Sequence, residues 1–345
     1  MINPRLFDHY GIDTKKNLGI DRICPRPFDT VLIDSNGSCY VCECTAWLPQ
    51  SIGNLQVMEL QDLIDNSVHQ QLKNSIRDGS YRYCNNNQCS YLLDDRPQTK
   101  FQSREPSAIK YIRLGLDSSC NLRCPSCRTQ HHFLSGGRQL QNKKRIIDKI
   151  VKFVRGNTKT HIHIGSDGDP FASLVYRYFL RQIRDLKHVT VSVQTNGLLI
   201  KKMYIRNRPL FDKLTELNIS IDGASRDTYE TLRLNGRWSK IKENLDFVKQ
   251  IKLQHKFKLI FHYVVQRTNY KEMTDMIHMS EQYDADKVWL NKITDWNTFS
   301  NFQWHDVTDP KNDLYDNYKE VLKHTRTVAR TAGVKVEMPT LGHFE

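Results

Sequence analysis

Three cysteines on one short segment are the residues of this 345-residue chain whose type and spacing best suit chemistry. Cys120, Cys124 and Cys127 follow a CxxxCxxC spacing directly after an apolar, β-rich run. Thiolates are the usual ligands of iron–sulfur clusters, and three of them leave one iron of a four-iron cluster without a protein ligand. An iron with an open position can bind and activate a small molecule. The alternative is a structural zinc loop with His131 or His132 as fourth ligand.

Six more cysteines precede this segment, and none of the nine lies beyond Cys127. They stand at positions 24, 39, 42, 44, 84 and 89. An odd number of closely spaced cysteines in an intracellular chain favours metal binding over disulfides. Six thiolates can fully ligate one four-iron cluster, but they cannot supply the eight that two would need. A second metal site is therefore expected in the N-terminal part.

Composition and charge narrow the class of protein. With 39% hydrophobic and 10% aromatic residues, the chain is neither a disordered polymer nor a disulfide miniprotein. No apolar run approaches the roughly 20 residues of a membrane span, so we expect a cytoplasmic protein without a membrane partner. Residues 101–345 carry 41 Lys and Arg against 26 Asp and Glu, a net charge of +15. Such a surface suits an anionic peptide or small molecule, or is simply solvated.

Beyond residue 110, short β-rich runs alternate with helical patterns, which is typical of an α/β fold with a parallel sheet. Apolar residues recur at helical spacing in the intervening segments, as at Ile146, Ile150 and Val154. Six units are fewer than the eight of a closed barrel, so we expect a partial (β/α)6 barrel with its reactive face at the C-terminal ends of the strands. The candidate strands are 110–116, 161–164, 189–194, 217–221, 258–265 and 287–291.

Three domains are predicted: a small, loop-rich cysteine domain at 1–100, the partial barrel at 101–300, and a C-terminal helix and strand at 301–345. The clearest N-terminal helix spans about Met58–Ile76. A region so poor in regular core usually needs a metal or disulfide staple. Residues 94–106 are polar, contain two prolines and are a plausible linker. The last helix is expected at about Leu314–Ala332 and the last strand at Val334–Val336.

The order of these motifs resembles the radical SAM superfamily from Lys110 to Trp296. Cys120, Cys124 and Cys127 match its cluster motif. The segments 166–170 (SDGDP), 194–197 (QTNG) and 220–225 (SIDGAS) follow successive strands where the family binds S-adenosylmethionine (SAM). The resemblance implies one SAM-binding 4Fe-4S cluster. It also implies a set of SAM contacts: Ser166, Asp169, Thr195, Asn196, Ser220, Asp222 and Arg233, the last where relatives often bind the carboxylate.

The sequence departs from the family pattern at three positions. Ser126 stands where an aromatic residue usually precedes the third cysteine, and Asp167 and Asp169 replace a Gly and a Glu. Asp169 keeps the carboxylate with a shorter reach. The alternative for Asp169 and Asp222 is helix N-capping, since both precede helical segments.

The N-terminal cysteines resemble a SPASM-type auxiliary cluster domain, here placed before the barrel. Cys24, Gly37 and Cys42 fit its opening, and Cys84 and Cys89 fit its later part. The resemblance implies one auxiliary 4Fe-4S cluster on Cys24, Cys42, Cys84 and Cys89, with Cys44 as the substitute if Cys42 is not a ligand. Cys39 is interpreted as a small buried apolar residue on a strand. A closed four-cysteine zinc site is the alternative.

The resemblance implies that an external donor such as flavodoxin or ferredoxin reduces the cluster, and that SAM then yields a 5′-deoxyadenosyl radical. An auxiliary cluster favours net oxidation, so peptide or protein modification is expected. A dehydrogenase or epimerase of a sugar-derived or phosphorylated small molecule is the alternative, with epimerase ranked lower because no thiol lies beyond Cys127. A non-catalytic, metal-stapled nucleic-acid-binding protein is a more remote alternative, since it would not require the SDGDP, QTNG and SIDG segments to stand at successive strand ends.

Overall fold

The chain folds into two compact units, each built from several stretches of sequence. The computed structural model describes residues 2–89, 91–93, 101–157, 159–165 and 167–342. The first unit contains Met1–Ser118, Leu134–Asp167 and Leu174–Thr190, and the second contains Ser119–Phe133, Gly168–Ser173 and Val191–Glu345. The boundaries at residues 100 and 300 stay predictions, and residues 94–100 of the predicted linker lie outside the described residues.

The strands of the first unit join the cysteine-rich segment to the start of the β/α array. They are β1 (Thr30–Ile33), β2 (Ser38–Tyr40), β3 (Gly53–Asn54), β4 (Tyr111–Leu114) and β5 (Thr160–Ile164). The β1–β2 and β2–β3 pairs are antiparallel, whereas β1–β4 and β4–β5 are parallel. Because β1 pairs directly with β4, the N-terminal segment shares a sheet with the first two predicted barrel strands.

The predicted helix at Met58–Ile76 is wrong, because two helices occupy that stretch. α3 (Leu60–Asp65) ends before Asn66, and α4 (Ser67–Arg77) begins after it. The Asn66 side chain accepts a hydrogen bond from His69 N at 2.9 Å and donates one to Ile52 O at 2.6 Å. This N-cap interrupts the helix while leaving the apolar periodicity intact. The unit's other helices are α1 (Pro4–His9), α2 (Arg26–Asp29), α5 (Gly137–Arg155) and α6 (Leu174–Gln182).

The second unit is a β/α array in which every strand pairs in parallel with its neighbour. Its strands are β6 (Val189–Thr195), β7 (Leu214–Ser220), β8 (Lys258–Val265), β9 (Lys287–Lys292) and β10 (Lys335–Glu337). The helices are α7 (Ile200–Arg206), α8 (Arg226–Leu232), α9 (Trp238–Lys252), α10 (Met273–Gln282), α11 (Phe302–His305) and α12 (Tyr315–Thr331). All six predicted barrel strands are present, so the α/β class and the parallel sheet are confirmed.

The strands of the second unit bury one face and leave polar groups on the other. β8 buries Leu259, Phe261 and Tyr263 completely, while His262 between them is only partly buried. The helices cover the apolar face, as α9 does with its buried Ile241, Leu245, Val248 and Ile251. Ile260 is buried as well, so the alternation on β8 is limited to the end of the strand, where His262 and Val264 are only partly buried. It leaves a polar strand face beside the loops that carry the candidate site.

The C-terminal elements agree with the sequence. The last helix was expected at about Leu314–Ala332 and spans Tyr315–Thr331, and the strand expected at Val334–Val336 is β10. β10 pairs in parallel with β9. No helix in the described part of the chain is both apolar enough and long enough to cross a bilayer.

Candidate functional site

The CxxxCxxC segment is a loop of the second unit whose own backbone closes it. Cys120 N donates to His132 O at 3.1 Å, and Cys127 N donates to Cys124 O at 3.0 Å across the turn that follows. Cys120 and Cys124 are buried, whereas Cys127 is exposed. The loop therefore holds two thiols inside the fold and presents the third toward solvent.

Each sulfur of this loop lies within hydrogen-bond distance of a side-chain N–H group. The donors are Asn196 Nδ2 at 3.8 Å from Cys120 Sγ, Arg233 Nη1 at 3.7 Å from Cys124 Sγ, and Arg128 Nη2 at 3.5 Å from Cys127 Sγ. Burial raises the pKa of Cys120 to about 11 and also raises that of Cys124. Such N–H donors stabilise sulfur that carries negative charge, as in a thiolate that ligates iron.

Asp169 is buried, and both of its carboxylate oxygens are fully engaged by protein donors. Oδ1 accepts from the backbone N–H groups of Phe171 and Ala172 at 3.0 and 3.2 Å. Oδ2 accepts from Thr195 Oγ1 at 2.6 Å and from Asn196 N at 2.8 Å. Four donors match the roughly four lone-pair sites of a carboxylate. Oδ1 of Asp169 thus stabilises its own turn, which is in part a capping role. Oδ2 connects that turn to the segment that follows β6.

Asp222 and Arg233 form a buried ion pair. Arg233 Nη2 lies 2.8 Å from Asp222 Oδ2, and Asp222 Oδ1 accepts from Val264 N at 2.9 Å. Capping does not explain Asp222, because the N-cap of α8 is Ser225. The pKa of Arg233 lies above its usual value because the Asp222 carboxylate and the Cys124 sulfur stabilise the charge against its burial. Among the described residues no acceptor reaches the buried Arg233 Nε.

The other predicted SAM contacts in the second unit stand at strand ends close to this network. Asn196 Nδ2 also donates to Asn121 Oδ1 at 2.9 Å, which links the segment after β6 to the cysteine loop. Ser220 Oγ accepts from Gln194 Nε2 at 3.4 Å. The predicted contact Ser166 lies outside the described residues. Sequence reasoning missed Asn121, although its place directly after Cys120 could have indicated it.

Two glycines of these segments cannot carry a side chain. Gly197 has a φ of +84°, and a Cβ there would lie 2.6 Å from Ile241 Cδ1. A Cβ on Gly223 would lie 2.4 Å from Tyr229 N. Because both clashes involve packed core or backbone atoms, the strand-end loops need glycine at these positions.

The described residues do not form a preorganised site for a single zinc ion at either group of cysteines. His131 and His132 are both exposed. In the described part of the chain, no group of three or more His, Cys, Asp or Glu residues is placed to hold a metal ion. A single zinc needs all its thiolates at about 2.3 Å from one point, whereas a cluster spreads them over several irons.

Four cysteines of the first unit line one small apolar pocket. They are Cys24, Cys42, Cys84 and Cys89, the four predicted ligands of the auxiliary cluster. The pocket measures about 20 Å³, and its remaining walls are apolar or aromatic, among them Trp47, Tyr81 and Tyr91. Cys39 and Cys44 do not line it. A dry, thiol-rich pocket fits a fully ligated iron–sulfur cluster, because thiolates are its ligands and exclusion of water tunes it.

Burial and mutual repulsion disfavour thiolates in this pocket. Desolvation raises the pKa of Cys42 to about 12 and raises those of Cys24 and Cys84 as well, with neighbouring thiols adding to the effect. Four negative charges so close together need a bound cation or cluster to offset them. The residues present therefore fit the predicted metal centre.

The remaining two thiols of the first unit lie apart from the pocket. Cys39 is fully buried on β2, which confirms its interpretation as a small apolar core residue. Cys44 is partly exposed, and its carbonyl accepts from Trp47 N at 3.1 Å.

Sequence reasoning missed the polar group beside the auxiliary pocket. Arg26 Nη2 lies 2.5 Å from Glu43 Oε1 and 2.9 Å from Tyr91 Oη. Arg26 directly follows the Cys24-Pro25 pair, so its place in the sequence could have indicated it.

Comparison with known proteins agrees with both cysteine centres. A family model described as the radical SAM superfamily matches residues 118–279, and the SPASM model, described as an iron–sulfur cluster-binding domain, matches residues 24–90. The two matches imply a SAM-binding 4Fe-4S cluster, an auxiliary cluster and SAM, which confirms the predicted cofactors. The ligand and SAM-contact assignments themselves stay predictions.

Curated relatives and a solved structure are similar to only part of the chain. GTP 3′,8-cyclase of Lactiplantibacillus plantarum is 27% identical over 199 residues, 56% of this chain and 57% of the relative. Molybdenum cofactor biosynthesis protein 1 of Drosophila melanogaster is 24% identical over 56% of this chain and 33% of its own. Streptococcus suis SuiB bound to S-adenosylmethionine matches with a TM-score of 0.48 and 14% identity, over 66% of this chain and 50% of its own. The chain thus spans about half the length of these proteins, or less.

Proposed function

Since this chain carries a radical SAM domain behind an N-terminal SPASM domain, we propose that it is an enzyme that oxidises its substrate by hydrogen abstraction. Cys120, Cys124 and Cys127 hold the SAM-binding cluster, and the four cysteines of the apolar pocket hold the auxiliary cluster. The reduced SAM cluster with SAM supplies a 5′-deoxyadenosyl radical, and the auxiliary cluster supplies an electron acceptor. Peptide or protein modification is the substrate class that a SPASM domain favours.

One observation carries this proposal: a single polar network anchors the cysteine loop to the ends of two strands. Asp169, Asn196 and Asn121 link the loop to the segment after β6. Arg233 and Asp222 link it to the segment after β7. A loop that is anchored on both sides can hold the iron that has no protein ligand at a defined position, without providing a fourth ligating side chain. Precise placement of this kind is the protein's main contribution when a cofactor carries the chemistry.

Within this network the side chains take different roles. Asp169 acts as a positioning residue, because its four bonds leave no lone pair for the amino group of SAM. Thr195, Asn196, Ser220, Asp222 and Arg233 remain the proposed SAM contacts. Nε is the nitrogen of Arg233 that has no acceptor among the described residues. That N–H can reach a carboxylate while the other nitrogens hold Asp222 and Cys124 in place.

A phosphorylated small molecule is the second candidate substrate, because two of the similar proteins are named for GTP cyclisation and molybdenum cofactor synthesis. The donor of electrons is proposed to be flavodoxin or ferredoxin, in the cytoplasm. Epimerisation ranks lower. Of the two thiols outside the proposed clusters, Cys39 is fully buried, which leaves Cys44 as the accessible hydrogen donor.

Anaerobic purification followed by incubation with SAM and dithionite tests the proposal. We expect about eight irons per chain and formation of 5′-deoxyadenosine. Cys124→Ala should abolish SAM cleavage, whereas Cys24→Ala should spare some cleavage and block product formation. Cys39→Ala is the matched control, since that thiol is on neither cluster. Bound zinc with no SAM turnover would contradict the proposal, and solvent deuterium in the product would favour epimerisation.

A further inference from the structure

A cavity of about 550 Å³ lies entirely within the first unit, and none of the residues that line it is a cysteine. Its walls are formed by α3, by the end of α5, by Lys73 on α4 and by the segment 106–109 that leads into β4. This volume falls within the range of sites that bind small molecules. The proposed function uses none of these residues, so the cavity has no assigned occupant.

Two lysines and one carboxylate of the cavity have protein partners. Glu59 lies 3.2 Å from Lys152 Nζ and 3.7 Å from Lys149 Nζ. Lys149 also donates to the carbonyl groups of Leu55 and Met58 at 2.8 and 2.9 Å. These three charges are therefore compensated without a ligand.

Lys73 is a partly buried cation that lacks such a partner. Its Nζ lies 5.8 Å from the centroid of the Phe28 ring, and the Arg77 guanidinium lies 5.4 Å from the same ring. Within the described part of the chain, no oxygen accepts a hydrogen bond from this ammonium or lies within ion-pair distance of it. Burial, together with the Arg77 charge, lowers the pKa of Lys73. A ligand carboxylate would supply the missing acceptor.

The segment that leads into β4 adds further donors. The backbone N–H groups of Ser107, Ala108 and Ile109 have no acceptor among the residues that the structure describes. The side chain of Asn157 holds this segment in place by donating to Ile109 O at 2.7 Å. Since these residues line the same cavity as Lys73, a carboxylate bound there can accept from them as well.

The α3 wall of the cavity carries the opposite charge. Asp62 and Asp65 both line it, and their spacing of three positions places them on one face of the helix. Asp65 accepts from Gln61 Nε2 at 2.7 Å, whereas no donor in the described ranges bonds Asp62. An anion alone would meet these carboxylates, and a cation alone would meet Lys73. A ligand that carries both an ammonium and a carboxylate group is complementary to both walls.

We propose that this cavity binds a free amino acid or a short peptide through its ammonium and carboxylate groups. Lys73 binds the carboxylate, and Asp62 binds the ammonium. The partly exposed ring of Phe153 packs against an apolar side chain of the ligand. This binding goes beyond the proposed function, because it requires neither SAM nor electron transfer.

Calorimetric titration of the anaerobic holoprotein without SAM tests this proposal. The probes are L-phenylalanine and L-alanyl-L-phenylalanine, one for each source of the two charges. We expect one of them to bind wild type at a single site with a Kd of about 1 mM or lower. Its N-acetyl form and its C-terminal amide should each bind at least about tenfold more weakly, because each has lost one charge. These blocked probes test both contacts on the wild-type protein.

Two variants assign the contacts to their residues. Lys73→Gln should bind the amide as well as the free acid, and Asp62→Asn should bind the N-acetyl form as well as the free amine. A merely structural effect would weaken all forms of the probe alike. Lys242→Gln, on the exposed face of α9, and Asp227→Asn, in the first turn of α8 as Asp62 is in that of α3, are the matched controls. Both should bind as wild type does.

The proposal is overturned if wild type binds neither probe at about 1 mM. It is also overturned if Lys73→Gln keeps the preference for the free acid, or if Asp62→Asn keeps the preference for the free amine. Failure of wild type to cleave SAM would instead overturn the proposed function, and the titration results would stand.

Discussion

Arg233 joins Asp222 to the Cys124 thiol: its two terminal nitrogens lie 2.8 Å from the carboxylate and 3.7 Å from the sulfur. The side chains of Arg233 and Asp222 are only 12% and 4% exposed, so the pair is shielded from screening by solvent. Arg233 therefore neutralises the charge of Asp222 and sets the orientation of its carboxylate, and both residues are predicted SAM contacts. The cysteine loop is thereby tied electrostatically to the segment after β7.

Asp222→Asn should destabilise the protein by about 3–5 kcal/mol, because it leaves the Arg233 charge buried with weakened compensation. Urea denaturation of the anaerobic protein measures this loss. Asp284→Asn is the control, since Asp284 pairs with Lys249 at 3.1 Å but is 59% exposed. A change of at most about 1 kcal/mol is expected there. Equal effects of the two substitutions would contradict the buried pair.

Asp169→Asn should cost about 2–4 kcal/mol and weaken assembly of the SAM-binding cluster. The amide nitrogen cannot accept, so two of the four donors now on the carboxylate lose their partner. Iron analysis should fall from about eight toward about four per chain, because the auxiliary pocket is untouched. Asp185→Asn, at a carboxylate that is 86% exposed, is the control. Full iron content in Asp169→Asn would show that the network does not hold the loop.

These contacts mark the limit of what the sequence could predict. Their spacing alone predicted that Cys120, Cys124 and Cys127 share one loop, because residues so close along the chain must lie close together in the fold. The pairing of Asp169 with Thr195 joins residues 26 positions apart, and it depends on how two loops approach each other after folding. No local pattern in the sequence predicts how the two loops approach each other, so the four donors around Asp169 could not be foreseen, and its predicted SAM contact stays a prediction.

Some elements of secondary structure could be predicted from the sequence, and others could not. The six barrel strands were predictable because each is a short β-rich run between helical patterns. The break between α3 and α4 was not, since Asn66 interrupts the backbone without interrupting the apolar spacing. Pairing of β1 with β4 was equally hidden, because strands 30–33 and 111–114 are joined only by long-range hydrogen bonds.

Gly197→Ala should destabilise the protein by about 2–4 kcal/mol, since it combines a left-handed backbone with an overpacked core. The new Cβ would lie 2.6 Å from Ile241 Cδ1 and 2.9 Å from Ile219 Cγ2. Adding Ile241→Val, which removes that Cδ1, should recover part of the loss in a double-mutant cycle. Gly136→Ala, where a Cβ meets nothing within 4 Å, is the control. Additive effects of the first two substitutions would rule out the packing clash.

His262 should make stability depend on pH below neutrality. Burial, together with the nearby Lys287 and Arg233 charges, lowers the pKa of His262 to about 4. In the unfolded chain this histidine has a pKa of about 6.5. Between about pH 6.5 and about pH 4 the unfolded state therefore binds a proton at this residue, whereas the folded state does not. Stability therefore falls as pH drops from about 6.5 to about 4, by at most about 2 kcal/mol at pH 5.0.

Urea denaturation of wild type and His262→Gln at two pH values isolates this contribution. The variant keeps a partner for Asn218, whose Oδ1 lies 2.9 Å from His262 Nε2, and cannot titrate. The difference in stability between neutral and acidic pH should be smaller in His262→Gln than in wild type. Identical pH profiles would mean that folding does not shift the pKa of His262.

Cys42 and not Cys44 should ligate the auxiliary cluster, because Cys42 lines the apolar pocket with Cys24, Cys84 and Cys89 and Cys44 does not. Cys42→Ser should reduce iron to about four per chain and remove the auxiliary cluster's signal from the electron paramagnetic resonance spectrum. Cys44→Ser should retain both clusters and serves as the matched control, as its thiol lies two positions away. The opposite pattern, with loss of iron only in Cys44→Ser, would require the loop at 42–44 to rearrange when the cluster binds.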